Sequence, residues 1–442
     1  MFSRRQLLNI VIPLIINQTL AVLIGIEDSL MVSFAGEAAI SGVGLVDSIN
    51  QLLVNLFTSL AAGGSVVISQ MLGTRQIERA NNASKQLIWT VFLAGLVMTG
   101  VSLTFRLPLL RLIFGNIDAD VMANASAYFF FTSMAFPFLA IYSGCQSVFH
   151  SMGNARVSMV VALVMNVVNI AANALLVLVL KMGVIGAALA TLTARFVGAM
   201  LLLCLLHNKK NMLYVEHILR FKPNFSTIGN ICRIGIPNGL ENSMFQLGRL
   251  MTQSLISTFG TAQIAANAAV LSVTSLQYIP GSAMGVAIIT MVGRCIGAQE
   301  QQQAKKYSVR LVAIAYGVII ALSAVICLFL RPIVSSYHLS AESAQLARNL
   351  ILYHSLCVCT IWPIAFTLPN AFRAASDVKF TMVLSIFSMW AFRIGLSYLL
   401  NALFDLGIMS VWYAMAVDWI FRAVVFTVHF LRGSWLKKYR AV

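Results

Sequence analysis

The chain has 442 residues, of which 59% are hydrophobic and 10% are charged. Soluble domains carry about 25% charged residues, so this composition excludes a soluble enzyme and predicts an integral membrane protein. The formal net charge of +16 does not indicate a nucleic-acid partner. The basic residues lie in short loops between apolar segments, where they determine membrane topology.

Twelve apolar segments, each of about 20 residues, are long enough to cross a bilayer as helices. They begin near residues 7, 45, 84, 124, 156, 184, 230, 266, 306, 346, 378 and 407. The sequence therefore predicts an all-α integral membrane protein with twelve transmembrane helices.

Lys and Arg are distributed unevenly between the two sides of the predicted membrane. With the N-terminus inside, cytoplasmic segments hold 21 of the 30 basic residues and external segments hold 5. The other four lie within the spans: Arg195, Arg249, Arg393 and Arg422. An excess of this size on one side predicts that both termini are cytoplasmic.

The two halves of the chain repeat each other at one constant shift in residue number. Pro13 aligns with Pro237, and the register holds without a gap as far as Ala80 and Ala304. Later in the chain, KMGVIG (181–186) aligns with DLGIMS (405–410) at the same shift.

Six helices per half preserve orientation, so the repeats are parallel and form two six-helix bundles. They are related by a pseudo-twofold axis along the membrane normal. We predict an N-lobe at 1–206, a cytoplasmic linker at 207–229 and a C-lobe at 230–442. This plan is common among transporters, whose substrate sites lie at the repeat interface.

Acidic and amide residues of the first half fall on two predicted helices. In GIEDSLMVSF (25–34), Asp28 lies eleven residues after Asn17 and on the same helical face, whereas Glu27 lies on an apolar face. On the fifth helix three amides lie within about 60° of one another: Asn166, Asn169 and Asn173. Polar groups at this depth need partners or water, so they either bridge helices or surround an ion.

The seventh predicted helix carries the longest polar stripe. Its members share an arc of about 140° and are Asn238, Glu241, Asn242, Gln246, Arg249 and Gln253. Such a stripe cannot face lipid, so it lines either a water-filled cavity or a buried network, and we favour the cavity. Glu241 is the candidate carboxylate of the second half for a cation or a proton.

The last two helices carry charges that are able to pair. Asp418 and Arg422 lie at i and i+4, His429 continues their stripe, and Arg393 on the neighbouring helix could join them. We favour an ion-pair network that holds helices together, with a pair that changes during gating as the alternative.

Enzymatic chemistry has little support in the sequence. The six histidines show no metal spacing, no GxxxxGK[ST] motif is present, and no Ser/His or His/Asp grouping serves as nucleophile and base. We therefore expect no catalytic residues, no organic cofactor, no ATP hydrolysis and no nucleic-acid partner. The expected partners are small organic substrates and the lipid bilayer, and the expected state is a monomer.

Several segments, in chain order, carry a family resemblance. They are EDSLMVSFAGEAAISGVGLVDSI, GGSVVISQMLG, FHSMGNARVS, IPNGLENSMFQLGR and VWYAMAVDWIFRAV. With the twelve helices and the repeat, they make the chain resemble the multidrug and toxic compound extrusion (MATE) family over nearly its whole length. The resemblance implies an antiporter of the plasma (inner) membrane, coupled to H⁺ or Na⁺. It would export amphipathic, mostly cationic organic compounds by alternating access.

The resemblance also implies a coupling-ion site. Asp28, eight residues before Gly36, matches a family aspartate that takes part in proton or sodium coupling, so Na⁺ near Asp28 is one expectation. Asn169 and Asn173 match the pair around that aspartate, although several relatives have Asp where this chain has Asn173.

In some relatives a second-half glutamate lies eight residues after the proline of the seventh helix. This chain has Phe245 at that position. Glu241, one turn earlier, is the candidate substitute.

A flippase for lipid-linked oligosaccharides or lipids, of related architecture, is the alternative function. Such proteins often carry extra helices and a conspicuously cationic cleft. The twelve spans and mixed charges of this chain favour the exporter.

Overall fold

The computed structural model describes residues 4–33, 36–115, 118–216 and 221–438. All regular secondary structure in these ranges is helical. Contacts divide the chain into two compact units. We call them the N-unit (Phe2–Gly239) and the C-unit (Leu240–Val442).

Six helices lie wholly in the N-unit. They are α1 (Arg4–Ser33), α2 (Glu37–Gly73), α3 (Ile77–Thr104), α4 (Ala119–Met134 and Phe136–Ser151, bent by 45°), α5 (Ala155–Val179) and α6 (Gly183–Leu206). A short helix, Arg106–Phe114, precedes α4, and α7 (Phe225–Ser257) begins in the N-unit and ends in the C-unit.

Five more long helices lie in the C-unit, with short helices at Leu330–Ser335 and Ser434–Lys437. They are α8 (Thr261–Gly297), α9 (Gln301–Leu328), α10 (Ala341–Thr360 and Pro363–Ala374, bent by 58°), α11 (Val378–Phe404) and α12 (Ile408–Arg432). Two of them contain π-helical segments, Pro363–Thr367 in α10 and Met389–Gly395 in α11. π-Helical turns are rare and often mark functional sites.

Most of these helices are long and apolar enough to cross a membrane. Nine of the described helices meet that criterion, or eleven when each of the two bent pairs counts as one span. The twelfth is α7, whose 33 residues span about 50 Å at 1.5 Å per residue. Its polar stripe lowers its apolar content, and its length and place in the chain match the span that the sequence predicts there. The all-α, twelve-helix prediction is confirmed.

The backbone repeats at the shift that aligns Pro13 with Pro237. The limits of α2, Glu37 and Gly73, match those of α8, Thr261 and Gly297. Residues with positive φ also recur in pairs: Gly36 and Gly260 (101° and 94°), Arg75 and Gln299 (61° and 60°), Lys181 and Asp405 (52° and 48°), and Gly183 and Gly407 (56° and 55°). Positive φ is uncommon outside glycine, so its recurrence at matched non-glycine positions confirms the repeat.

The segment between the halves packs against α3 of the N-unit. The backbone N–H of Tyr214 donates to Asn81 Oδ1 at 3.0 Å, and Gln86 Nε2 donates to the carbonyl of Lys222 at 2.8 Å. Phe221 stacks on Trp89 with ring centroids 4.9 Å apart. These contacts, with the start of α7, place the boundary between the compact units inside α7. The predicted lobe limits of 1–206 and 230–442 stay a prediction.

An exposed ion pair lies at the surface of this segment. Lys209 pairs with Glu216, whose hydrogen bond and negative charge raise the pKa of Lys209. Exposed pairs of this kind contribute little to stability. The hydrogen bonds and the ring contact with α3 therefore hold the segment in place.

Replacing Gly63 by Leu is expected to destabilise the packing of α2 against α7. A Cβ at Gly63 would lie 2.7 Å from the Gly235 nitrogen and 2.7 Å from the Ile231 carbonyl oxygen. Overpacking of this kind costs about 1–3 kcal/mol or more, which a lower melting temperature in detergent would report. Gly44→Leu, also in α2 but with nothing within 4 Å of its Cβ, is the control. An equal loss of stability in both variants would contradict the packing argument.

Candidate functional site: polar groups within the helices

The N-unit holds the predicted amides in buried positions. Asn17 on α1 is 7% exposed, and Asn166, Asn169 and Asn173 on α5 are 6%, 1% and 0% exposed. Asn173 Nδ2 donates to Asn169 Oδ1 at 3.0 Å, and Asn166 Nδ2 donates to the Ala162 carbonyl at 2.8 Å. Because α1 packs along α5, the structure brings together the two helices to which the family resemblance assigns coupling.

The predicted coupling aspartate lies on α1. The structure describes the backbone of Glu27 and Asp28 as helical, but their side chains lie outside its described part. The proximity of the Asp28 carboxylate to Asn169 and Asn173, and a Na⁺ site there, stay predictions.

The polar stripe of α7 is divided between two environments. Glu241 is 8% exposed, and its Oε1 accepts a hydrogen bond from Arg373 Nη2 at 2.8 Å. On either side of Glu241, Asn238 is buried and Asn242 is half-buried. The first half of the stripe thus contains a buried ion pair.

The second half of the stripe lines a cavity in the C-unit, as we predicted for the stripe as a whole. Gln246, Arg249 and Gln253 form one wall of this space of about 460 Å³. The other walls include Arg393 and six aromatic residues: Phe245, Tyr278, Trp362, Phe366, Trp412 and Trp419. The π-helical segments of α10 and α11 contribute Phe366 and Arg393 to it.

Asp418 and Arg422 form the ion pair that their spacing predicts. Arg422 Nε donates to Asp418 Oδ1 at 2.8 Å. The Arg422 side chain is 2% exposed, and the Asp418 side chain is 0% exposed. Arg422 Nη2 also donates to the Ser385 carbonyl at 2.9 Å, and Ser388 Oγ donates to Asp418. The pair therefore joins α12 to α11, as expected of a network that holds helices together.

The other two members proposed for that network lie elsewhere. His429 Nε2 pairs with Asp377 Oδ2 at 2.9 Å. The Arg393 guanidinium lies over the Phe245 ring, 5.5 Å from its centroid, and makes no ion pair within 4 Å in the described part of the chain. Helical spacing within α12 could not predict these positions. Asp377 lies between α10 and α11, and Arg393 lies in the π-helical segment of α11.

A family model described as MatE matches the chain twice, at residues 13–175 and 237–399. This chain belongs to the MatE family. The two matches cover more than half of the chain, and their limits align with each other at the same shift as the backbone repeat. The MATE resemblance is thereby confirmed, and the chain is a multi-pass membrane transporter, not an enzyme.

Several known proteins align with this MATE protein over nearly its whole length. "Probable multidrug resistance protein NorM" of Thermotoga maritima is 27% identical, covering 98% of this chain and 94% of its own. The NorM protein of Bacillus subtilis is 25% identical, covering 93% and 91%. The outward-facing structure of a multidrug resistance MATE family transporter has a TM-score of 0.91 at 20% identity and covers 98% of this chain and 96% of its own. That structural likeness shows the fold.

Arg373 is a functional candidate of this MATE protein that the sequence did not reveal. It is not among the four basic residues that the sequence places within spans, but it lies in the second segment of α10 with its side chain 15% exposed. Its Nη1 also donates to Asn370 Oδ1 at 2.9 Å, which orients the guanidinium toward Glu241. The bend in α10 makes this possible, and no local sequence pattern predicts where a bent helix places an arginine.

Asp47 on α2 is the second residue that sequence reasoning missed. It accepts hydrogen bonds from Asn50 and Tyr128, and Arg195 of α6 interacts with it electrostatically. A signal was available, because Arg195 lies within a span and a charge there requires a partner. Asp47 is therefore a candidate acid on α2, besides Asp28 on α1.

Neutralising Arg373 alone is expected to destabilise this MATE protein more than neutralising both partners of its ion pair. Removing one partner of a buried pair leaves an uncompensated charge and costs about 3–5 kcal/mol. The melting temperature in detergent should fall most in Arg373→Gln and recover in Arg373→Gln/Glu241→Gln. If the double variant instead lost as much stability as Arg373→Gln and Glu241→Gln together, the pairing would be contradicted.

Proposed function

We propose that this MATE protein is a cation-coupled antiporter that exports amphipathic organic compounds by alternating access, with organic cations as the first class. The observation that carries the proposal is the double match to the MatE family. The NorM relatives of Thermotoga maritima and Bacillus subtilis are named as probable multidrug resistance proteins, which supports export of varied organic compounds. The family assignment favours this function over the flippase alternative.

The coupling site that we propose is centred on Asp28 of α1. The buried pair Asn169 and Asn173 of α5 offers amide oxygens and N–H groups, which suit either a cation or a protonated carboxylate. A carboxylate holds a proton more tightly when it is buried than when water reaches it. Alternating exposure of Asp28 would therefore load the ion on one side of the membrane and release it on the other.

Glu241 takes a different part in this proposal. Its charge is balanced by Arg373 at 2.8 Å, so it is less suited than Asp28 to bind a cation without a further change. We assign it to the positioning of α7 against α10. Coupling then rests on the N-unit.

The energy source that we propose is the ion gradient across the plasma (inner) membrane, without ATP. Inward movement of one positive charge is favoured by about 2.3 kcal/mol per 100 mV. The 21-to-5 bias in basic residues supports cytoplasmic termini. In this account a monomer suffices, because one chain contains both repeats.

Transport by the purified protein in liposomes tests this function. Ethidium movement is followed after imposing either a proton gradient or a sodium gradient, with protein-free liposomes as the control. We expect one of the two gradients to drive ethidium against its own concentration difference. Movement under neither gradient, together with transfer of a fluorescent lipid between leaflets, would instead support the flippase.

A further inference from the structure

The cavity of the C-unit carries positive charge without a matching acid. Arg249 and Arg393 line it, and none of its described wall residues is Asp or Glu. Neither guanidinium lies within 4 Å of a carboxylate in the described ranges. The acid that acts on Arg393, Asp418, is already paired with Arg422 at 2.8 Å.

The remaining polar groups of this region do not neutralise that charge. Tyr278 Oη lies 2.7 Å from His354 Nε2, and His354 Nδ1 lies 2.7 Å from Gln277 Oε1. Gln277 Nε2 donates to Ser323 and Ser355, which fixes its Oε1 as an acceptor. His354 therefore donates from Nδ1, and its Nε2 lies within hydrogen-bond distance of Tyr278 Oη, an arrangement that a neutral imidazole satisfies. Arg249 and Arg393 are the charged residues of the described cavity wall and give it a formal charge of +2.

Hydrogen-bond donors in the wall also lack acceptors. Arg393 Nε, Trp412 Nε1 and Trp419 Nε1 are buried and have no hydrogen-bond partner among the described residues. Each buried unsatisfied donor has a free-energy cost, and an uncompensated charge at membrane depth costs more. A ligand that supplies acceptor oxygens and negative charge would relieve both costs.

The shape of the cavity indicates the rest of the ligand. Trp362 stacks on Phe366 with ring centroids 5.3 Å apart and an interplanar angle of 16°. Phe245 lies beneath both Arg393 and Arg422, with guanidinium-to-centroid distances of 5.5 Å and 5.7 Å. A volume of about 460 Å³ is suitable for a drug-sized molecule. Flat aromatic walls favour a planar ring system.

We propose that this cavity binds aromatic organic anions, with the acid group at Arg249 and Arg393 and the rings among the tryptophans and phenylalanines. A guanidinium recognises a carboxylate by two parallel hydrogen bonds. The site adds a second ligand class to the organic cations of the proposed function. Because it is a statement about binding in one unit, it does not depend on ion coupling.

Calorimetric titration of the purified full chain in a neutral maltoside detergent tests the proposal with three matched probes. They are 2-naphthoate, 2-naphthamide and 2-naphthylmethylammonium, which share one ring system and differ in charge. We expect 2-naphthoate to bind at least about tenfold more tightly than the amide, a difference of about 1.4 kcal/mol, and the ammonium compound to bind least. Equal affinity for the three probes, or no binding of 2-naphthoate, would overturn the proposal.

Variants of the two arginines locate the bound acid. Arg249→Gln and Arg393→Gln should each weaken 2-naphthoate about tenfold or more and leave 2-naphthamide unchanged. Arg249→Lys, which keeps the charge, should recover part of the affinity. Arg331→Gln, outside the cavity, is the matched control and should bind as the wild type does. Unchanged 2-naphthoate binding in both glutamine variants would place the anion elsewhere and refute this site, whatever the outcome of the ethidium transport assay.

Discussion

Replacing Asp28 by Asn is expected to abolish the response of transport to the coupling gradient. Asn has nearly the same shape but neither binds and releases a proton nor supplies a negative charge for Na⁺. Gradient-driven ethidium movement in liposomes should therefore fall by at least about tenfold, to the level of protein-free liposomes. The fold should be retained, because the change conserves volume and removes a charge from an apolar helix.

Two matched variants make the Asp28 result specific. Glu27→Gln, one residue earlier and on an apolar face, should transport as the wild type does. Asp47→Asn removes the acid on α2, which already has partners in Asn50 and Tyr128, and should lower stability more than coupling. If Asp28→Asn retained full gradient dependence while Asp47→Asn lost it, the coupling carboxylate would be on α2.

Replacing Asp418 by Ala is expected to have the largest effect on stability of any single charge removal in the C-unit. Arg422 is 2% exposed, and without Asp418 it would keep its charge beside the Ser385 carbonyl with no counter-ion. Loss of one partner of a buried pair costs about 3–5 kcal/mol. We expect a large fall in melting temperature and in the yield of monodisperse protein in detergent.

The Asp418 result has an internal check in the double variant Asp418→Leu/Arg422→Met. Removing both charges and filling the space with apolar side chains should recover most of the lost stability. Glu342→Ala, an exposed acid in the first turn of α10, should change stability by less than about 1 kcal/mol. A mild effect of Asp418→Ala would show that the pair does not hold α11 to α12.

The repeat places different chemistry at equivalent positions of the two units. At the shift between the halves, Arg393 is the equivalent of Asn169. Glu241 is likewise the equivalent of Asn17. These two positions therefore carry neutral amides in the N-unit and charges in the C-unit. Duplication conserved the helices while the polar groups within them diverged, which is consistent with one unit for the coupling ion and another for an organic ligand.

The fold was predictable because it depends on long-range averages of the sequence. Segment length and apolar content identify spans, and the constant shift between the halves is visible in residues such as Pro13 and Pro237. The polar stripe of α7 was also predictable, since helical periodicity alone places Gln246, Arg249 and Gln253 on one face. The i, i+4 spacing likewise predicted the pair of Asp418 and Arg422.

The remaining parts of the site depend on how separate helices bend and pack. The contact of Glu241 with Arg373 requires the 58° bend in α10. The aromatic wall of the C-unit cavity combines residues of α7, α8, α10 and α12, which no periodicity within one helix links. The π-helical segment around Arg393 changes the direction of its side chain and has no sequence pattern that we recognised.

The reciprocal flux of ion and substrate tests most directly whether this MATE protein is an antiporter coupled through Asp28. Ethidium is added outside wild-type liposomes that have no ion gradient, and internal pH or Na⁺ is recorded. Our account predicts that inward ethidium movement drives H⁺ or Na⁺ outward, and that Asp28→Asn abolishes this ion flux. Ethidium entry without any ion movement in the wild type would contradict it.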